Sequence, residues 1–449
     1  MRAISVKQSK LSLALVFIIA AVILLLPFHA FLTVWFASNF GHYTAARLWK
    51  EGLVFIAGLV VIYWLITDKR VRTKIFSAKI NWLILAYVVL DLLLAVVAYK
   101  RKEVSAKALA YGLLVDLRFL AMFIICFALA IKTKLLSNYW QQLILWPAAI
   151  VVIFGLLQMS ILPSNVLQHF GYSAKTILPF ETINANAHYV RILSTLRGAD
   201  PLGAYLLLPI SALLVLLVKF RGKRKLIWLL LAFLIGAFIV LFGSYSRAAW
   251  IGAVLSVLVI ALVLINKDWL RLHRKPLSVI ALGLLIVVGV SSALLLPSQR
   301  FQNIIFHTSS NSYHVVSSNQ AHLSALKGGL KQVVAQPFGE GPGSSGPASV
   351  YNHYKPARIA ENYFLAIGEE SGWLGMALFL AINAYVGWLL FLRRSSPFAL
   401  TLFASLVGIT FVNMLAPGWD DDTLSYIWWG LAGLAMVIPP LKTSKVKED

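Results

Sequence analysis

Apolar runs recur along the whole chain, many of about eighteen residues or more, the length that crosses a bilayer core of roughly 30 Å. They predict helices near residues 11–36, 52–66, 80–99, 111–131, 141–159, 201–218, 226–242, 248–265, 277–296, 373–392, 397–414 and 424–439. Polar interruptions between them are mostly short. The exception is residues 297–362, between the ninth and tenth apolar runs, with a lesser one at about 163–200. The pattern predicts an all-α, polytopic transmembrane bundle of about twelve spans, with one large extracytoplasmic loop containing short helices. No repeat or low-complexity linker divides it, so residues 1–449 read as a single membrane domain.

Composition agrees: 60% of residues are hydrophobic and mean hydropathy is +0.81, outside the range of soluble domains. The first apolar run follows Lys7 and Lys10 like a signal peptide. It is too long for one and lacks a small-residue cleavage site, so it reads as a retained helix.

The net charge of +23 would suggest nucleic acid in a soluble protein. Here it follows the membrane. With the N-terminus inside, 24 of the 40 Lys and Arg fall in short inner segments such as 69–74, 221–225 and 271–275. Fifteen are spread through longer outer segments, and Arg118 lies within a span. That bias predicts both termini in the cytoplasm, with basic rims facing anionic lipid and no role for nucleic acid. The single cysteine, Cys126, reads as a small core residue, and no metal cluster, P-loop or dinucleotide fingerprint occurs.

The long loop is where chemistry is expected, because a bundle can scaffold a site that a span cannot itself form. Residues 319–335 place Leu323, Leu326, Leu330 and Val333 at helical spacing, an amphipathic helix interrupted by Gly328-Gly329. Pro337 stops it, and Gly339, Gly341 and Gly343 permit a sharp turn. Residues 361–369 predict a short helix leading into the next span. Gly243-Ser244-Tyr245-Ser246-Arg247 reads as a tight outer hairpin, and Glu369 and Glu370 as interfacial acids.

By this topology Arg191, Arg247 and the long loop share the outer face. Two arginines suit a diphosphate, each able to grip phosphate bidentately, although either could instead snorkel to lipid headgroups. Glu361 is a candidate general base at the membrane-proximal end of the loop, or else an acid at a helix N-terminus. His353 and Arg358 are candidates for sugar or phosphate binding, or solvated loop residues. Asp91 and Arg118 fall at matching depths on consecutive helices, roughly 11 Å in, which predicts an ion pair with Asp116 competing.

Four segments together resemble the O-antigen ligase and polymerase superfamily of bacterial envelope glycosyltransferases. They are Arg191-Ile192-Leu193-Ser194-Thr195 with 200–205, Gly243 to Trp250, Gln336 to Gly343, and Glu361-Asn362-Tyr363-Phe364-Leu365 with 370–375. The resemblance implies a metal-independent, GT-C-like membrane glycosyltransferase without cofactor, acting at the outer face of the bacterial inner membrane. It implies a polyprenyl diphosphate-linked glycan as donor, a glycan or lipid as acceptor, and Arg191 and Arg247 on the diphosphate. With Glu361 they form the expected catalytic set, and His188, His353, Arg358 and Asn362 the expected substrate-binding set. One departure stands out: ligases of this family typically carry His where this chain has Glu361. The alternatives are a secondary transporter, although no repeat relates the halves, and a non-catalytic envelope-assembly protein.

Overall fold

The computed structural model describes residues 9–183, 186–220, 222–264, 298 and 318–441. The apolar runs form helices α1 (Lys10–Leu25), α2 (His29–Phe40), α4 (Trp49–Thr67), α6 (Lys79–Lys100), α7 (Ala106–Lys132), α9 (Trp140–Ser160), α10 (Ala199–Lys219), α11 (Arg224–Gly243) and α12 (Arg247–Leu264). Short helices α3 (Tyr43–Arg47), α5 (Lys69–Ser77) and α8 (Leu135–Asn138) lie between them. After the undescribed stretch come α13 (Ser318–Ala335), α14 (Tyr363–Phe391), α15 (Pro397–Asn413) and α16 (Asp422–Ala435).

Among the described residues nine helical segments are long and apolar enough to cross a membrane, α1 and α2 forming one of them through the turn at Pro27. α15 is a shorter apolar helix, and α16, at 14 residues, rises only about 21 Å. The expected span at 277–296 lies outside the described residues, as does most of the first third of the long loop. α16 does not need the full length, because protein surrounds it: all fourteen of its residues are buried. It packs along α7 through aromatic rings, with Phe119 5.4 Å from Trp429 and Trp428 5.3 Å from Trp429, near edge-on. Its start is fixed by Asp421, whose carboxylate caps the Leu424 N–H.

Small residues set the close crossings. A Cβ on Gly252 of α12 would meet the Gly408 carbonyl of α15 at 2.8 Å, so these helices touch backbone to backbone. Gly203 lets α10 approach α12 closely, since a Cβ there would sit 2.8 Å from the side-chain Cβ atoms of Ser246 and Ala249. That contact places the start of α12 against the first turn of α10.

The loop at 163–200 is not wholly irregular. It contains a two-stranded antiparallel hairpin, β1 (Glu181–Ile183) and β2 (Asn186–Arg191), with Glu181 opposite Arg191. Segments 41–48, 101–105, 161–183, 186–198, 244–246, 336–362 and 414–421 gather at one end of the bundle. Asn352 accepts from the Ser105 N–H, Asn362 donates to the Met414 carbonyl, and Arg197 lies 3.9 Å from Asp421. At the opposite end Lys132 bonds Asp68 at 2.6 Å and Arg393 binds the Ile438 carbonyl at 2.7 Å.

Two expectations are corrected here. Asp91 does not pair with Arg118: its carboxylate accepts from Ser371 of α14. Arg118 turns instead to the Asp420 carbonyl (2.8 Å), Glu51 (3.8 Å) and Asp422 (4.0 Å). Matching depth did not settle the pairing, because α16 and α4 bring closer acids to the same arginine. Nor are Glu369 and Glu370 interfacial. Both are buried, and Glu370 accepts from the backbone N–H groups of Gly343 (2.9 Å) and Ser345 (3.2 Å).

Candidate functional site

The Arg191 segment is pinned to the bundle. Ser194, at positive φ, donates its hydroxyl to the Val151 carbonyl and takes the Gln158 side chain on its N–H, while Thr195 donates to the Pro27 carbonyl. From this anchored strand the Arg191 guanidinium makes three contacts. Nε donates to the Ser244 carbonyl at 2.9 Å, Nη2 to Asp200 at 2.8 Å, and Nη1 lies 3.4 Å from Glu181. The arginine is thus bracketed by its cross-strand partner, the first turn of α10 and the 244–246 turn. Burial pushes the Glu181 carboxyl up from the ordinary range, against the pull of Arg191.

The Gly243–Arg247 turn is the tight hairpin that the sequence predicts. Tyr245 takes a positive φ, Ser244 donates its hydroxyl to the Leu241 carbonyl, and Trp250 stacks on Phe242 at 5.0 Å and donates its indole N–H to the Leu241 carbonyl. Arg247 opens α12 beside this turn, half-buried, within electrostatic reach of both Asp200 and Arg191.

The helix expected at 319–335 is present as α13, with a different packing face. Val333 is buried, while Leu323 and Leu330 are exposed. Gly329 explains the difference: a Cβ there would come 3.0 Å from Glu369 and 3.4 Å from Leu365, so the glycine lets α13 lie close on α14. The Trp373 indole donates to the Val333 carbonyl at 3.0 Å and closes the contact. The two helices therefore run parallel at a nearly constant offset, and this register brings His322 to Glu361, with Nδ1 3.0 Å from Oε2. Glu361 raises the His322 pKa above its ordinary 6.5, and the charges of Asp200 and Arg247 also act on that ring.

Arg191, Arg247 and Glu361 thus fall in one electrostatic neighbourhood, completed by Asp200 and His322. The remaining expected residues are placed differently. Arg358 donates to the buried Glu340 at 3.0 and 3.2 Å, alongside Lys355 and Gln332, and so clamps the glycine-rich turn. His353 is exposed and packs on Tyr354 at 4.3 Å. Asn362 is the N-cap of α14, accepting from the Leu365 N–H. His188 is exposed on β2, in the stretch between Asn186 and Val190 where the pairing register shifts. Among the described residues, none of these four shows a hydrogen bond or ion pair to Arg191.

Sequence reasoning passed over His322, Asp200, Glu181 and Arg197. Asp200 had a local signal, since it stands in the first turn of α10, nine residues beyond Arg191. His322 had none, because only the parallel docking of α13 on α14 carries it to Glu361.

A comparison with curated proteins gives no match. Residues 232–380 match the family model described as O-antigen ligase, a stretch that includes the Arg247 turn, α13, the glycine-rich turn and Glu361 but not Arg191. Over that stretch the chain is similar to the O-antigen ligase family.

Proposed function

We propose that this protein transfers a glycan from a polyprenyl diphosphate-linked donor to an acceptor hydroxyl at the outer face of the bacterial inner membrane. Glycan transfer in cell-surface polysaccharide biosynthesis is what the family match supports; donor, acceptor and membrane face are part of the proposal. The observation that supports it is that Arg247 lies within electrostatic reach of both Arg191 and His322, and His322 is 3.0 Å from the acid Glu361, all from separate segments at one end of the bundle.

In this mechanism the acceptor oxygen attacks the anomeric carbon as the bond to the diphosphate breaks, and the electron pair passes to the departing oxygen. Arg191 and Arg247 meet the charge that develops there. Fixed donors of this kind act without reorganising, and positioning supplies much of the rest. Glu361 stands on the acceptor side, where the hydroxyl proton is lost. Asp200 and Glu181 hold Arg191 in place and temper the site's positive charge when it is empty.

The test is transfer in proteoliposomes carrying a polyprenyl diphosphate-linked glycan and a candidate acceptor. Arg191→Ala and Arg247→Ala are expected to abolish transfer while insertion is retained. Full activity in both variants removes the mechanism, and counterflow of a free solute without transfer would favour the transporter alternative.

A further inference from the structure

We infer that His322 is the group that takes the acceptor proton, at Nε2, and that Glu361 acts through it as a positioning residue. This rests on the transfer reading above and names the proton acceptor within that site. The geometry is that of an oriented imidazole. Glu361 Oε2 faces Nδ1 at 3.0 Å, which fixes the neutral tautomer with its proton on Nδ1 and leaves the Nε2 lone pair outward. Among the described residues no hydrogen bond occupies Nε2.

Both partners are held by backbone that does not depend on substrate. His322 lies two turns before Gly329, where α13 is locked on α14, and Glu361 directly precedes the Asn362 cap. Their side chains stay reachable, at 40% and 31% exposure. The charged groups acting on the ring are Glu361, Asp200 and Arg247, so the imidazole contacts the acid and feels one of the two arginines. In the step itself the acceptor O–H proton passes to Nε2 while its oxygen bonds the anomeric carbon. The sugar–diphosphate bond breaks, and the electron pair leaves with the diphosphate. A carboxylate in direct contact with the hydroxyl would need no histidine; a carboxylate turned to Nδ1 raises the basicity of the opposite nitrogen.

The pH consequence has a definite sign. Glu361 raises the His322 pKa, and only the neutral ring accepts a proton, so turnover falls as pH drops through that raised value. In Glu361→Gln the pKa moves down, and the acidic limb moves to lower pH even though maximal turnover is reduced.

The experiment uses full-length protein in detergent with ¹⁵N-labelled histidine rings, His322 being assigned by its loss in His322→Gln. The expected spectrum shows the Nδ1–H tautomer, titrating above 6.5 and shifting down in Glu361→Gln. An Nε2–H tautomer, or a titration indifferent to Glu361→Gln, overturns the assignment whether or not an acceptor is known. In the transfer assay His322→Gln is expected to lower kcat by about 10²–10⁴ with donor KM unchanged. Wild-type kcat in that variant, beside an active parent, overturns the assignment alone. Absence of transfer by the parent overturns the underlying reading as well.

Discussion

Arg191→Lys separates the chemical role of Arg191 from its structural one. The guanidinium reaches three groups at once, the Ser244 carbonyl, Asp200 and Glu181. A lysine has one ammonium and keeps the charge, but it cannot hold three partners set in a planar fork. Each charge-assisted bond is worth about 1.5–3 kcal/mol when shielded. Asp200 is 49% exposed and Glu181 33%, so solvent screening brings the two lost contacts down to roughly 1–2 kcal/mol together. A shift of that size leaves the protein folded. The catalytic cost is larger, because one misplaced donor to a developing oxyanion costs about 10²–10³ in kcat. Arg191→Lys is therefore expected to lose about 10²-fold in kcat, with a small drop in Tm, and Arg191→Ala about tenfold more. The assay is transfer of labelled glycan in proteoliposomes, with thermal unfolding measured on the same preparations. A Lys variant with wild-type kcat, or an Ala variant whose whole loss is accounted for by unfolding, would refute the reasoning and leave Arg191 as a clamp between the hairpin and α10.

Three further outcomes are expected. Gly343→Ala should cost at least about 2 kcal/mol and open the 336–345 turn to limited proteolysis, because Gly343 sits at φ +81° with its missing Cβ aimed at the Ala108 carbonyl; an unchanged digestion pattern counts against that docking. Exchanging Asp91 and Arg118 in a double charge-swap variant should not recover the stability lost in either single variant, since each has other partners; recovery on thermal unfolding would restore the direct pair. Burial pushes Asp420 up to about 7 from its ordinary 3.8, so the folded state holds its proton more tightly than the unfolded. Its contribution is full below about pH 4 and is lost as pH rises through about 7. Asp420→Asn should flatten Tm against pH across that window, and an unaltered slope would contradict it.

Much of the bundle is legible in hydrophobic periodicity, because spans must be both apolar and long. The start of the final helix is set by the Asp421 cap, which lies three residues before the apolar run begins at Leu424. The site divides along the same line. Arg191 and Arg247 are legible as arginines beside polar turns, and the structure brings them within electrostatic reach of each other. The Glu361–His322 contact is not, since it depends on Gly329 letting one helix settle on another. Arg118 shows the reverse failure. Depth along two helices predicted its partner, but three dimensions offered it nearer acids from helices far away in sequence.

The break at Gly372 has a consequence for how this protein can change. There α14 leaves helical geometry, at φ +66°, and the carbonyls of Glu369 and Glu370 accept from the Glu340 and Gly341 N–H groups, while Trp373 N–H donates to Pro337. These bonds join main chain to main chain. Substitutions among residues 336–345 can therefore accumulate without detaching the segment, provided the glycines that allow the close approach remain. Adding or deleting one residue would instead put every bond out of step, so lineages related to this chain are expected to vary here in letters and not in length.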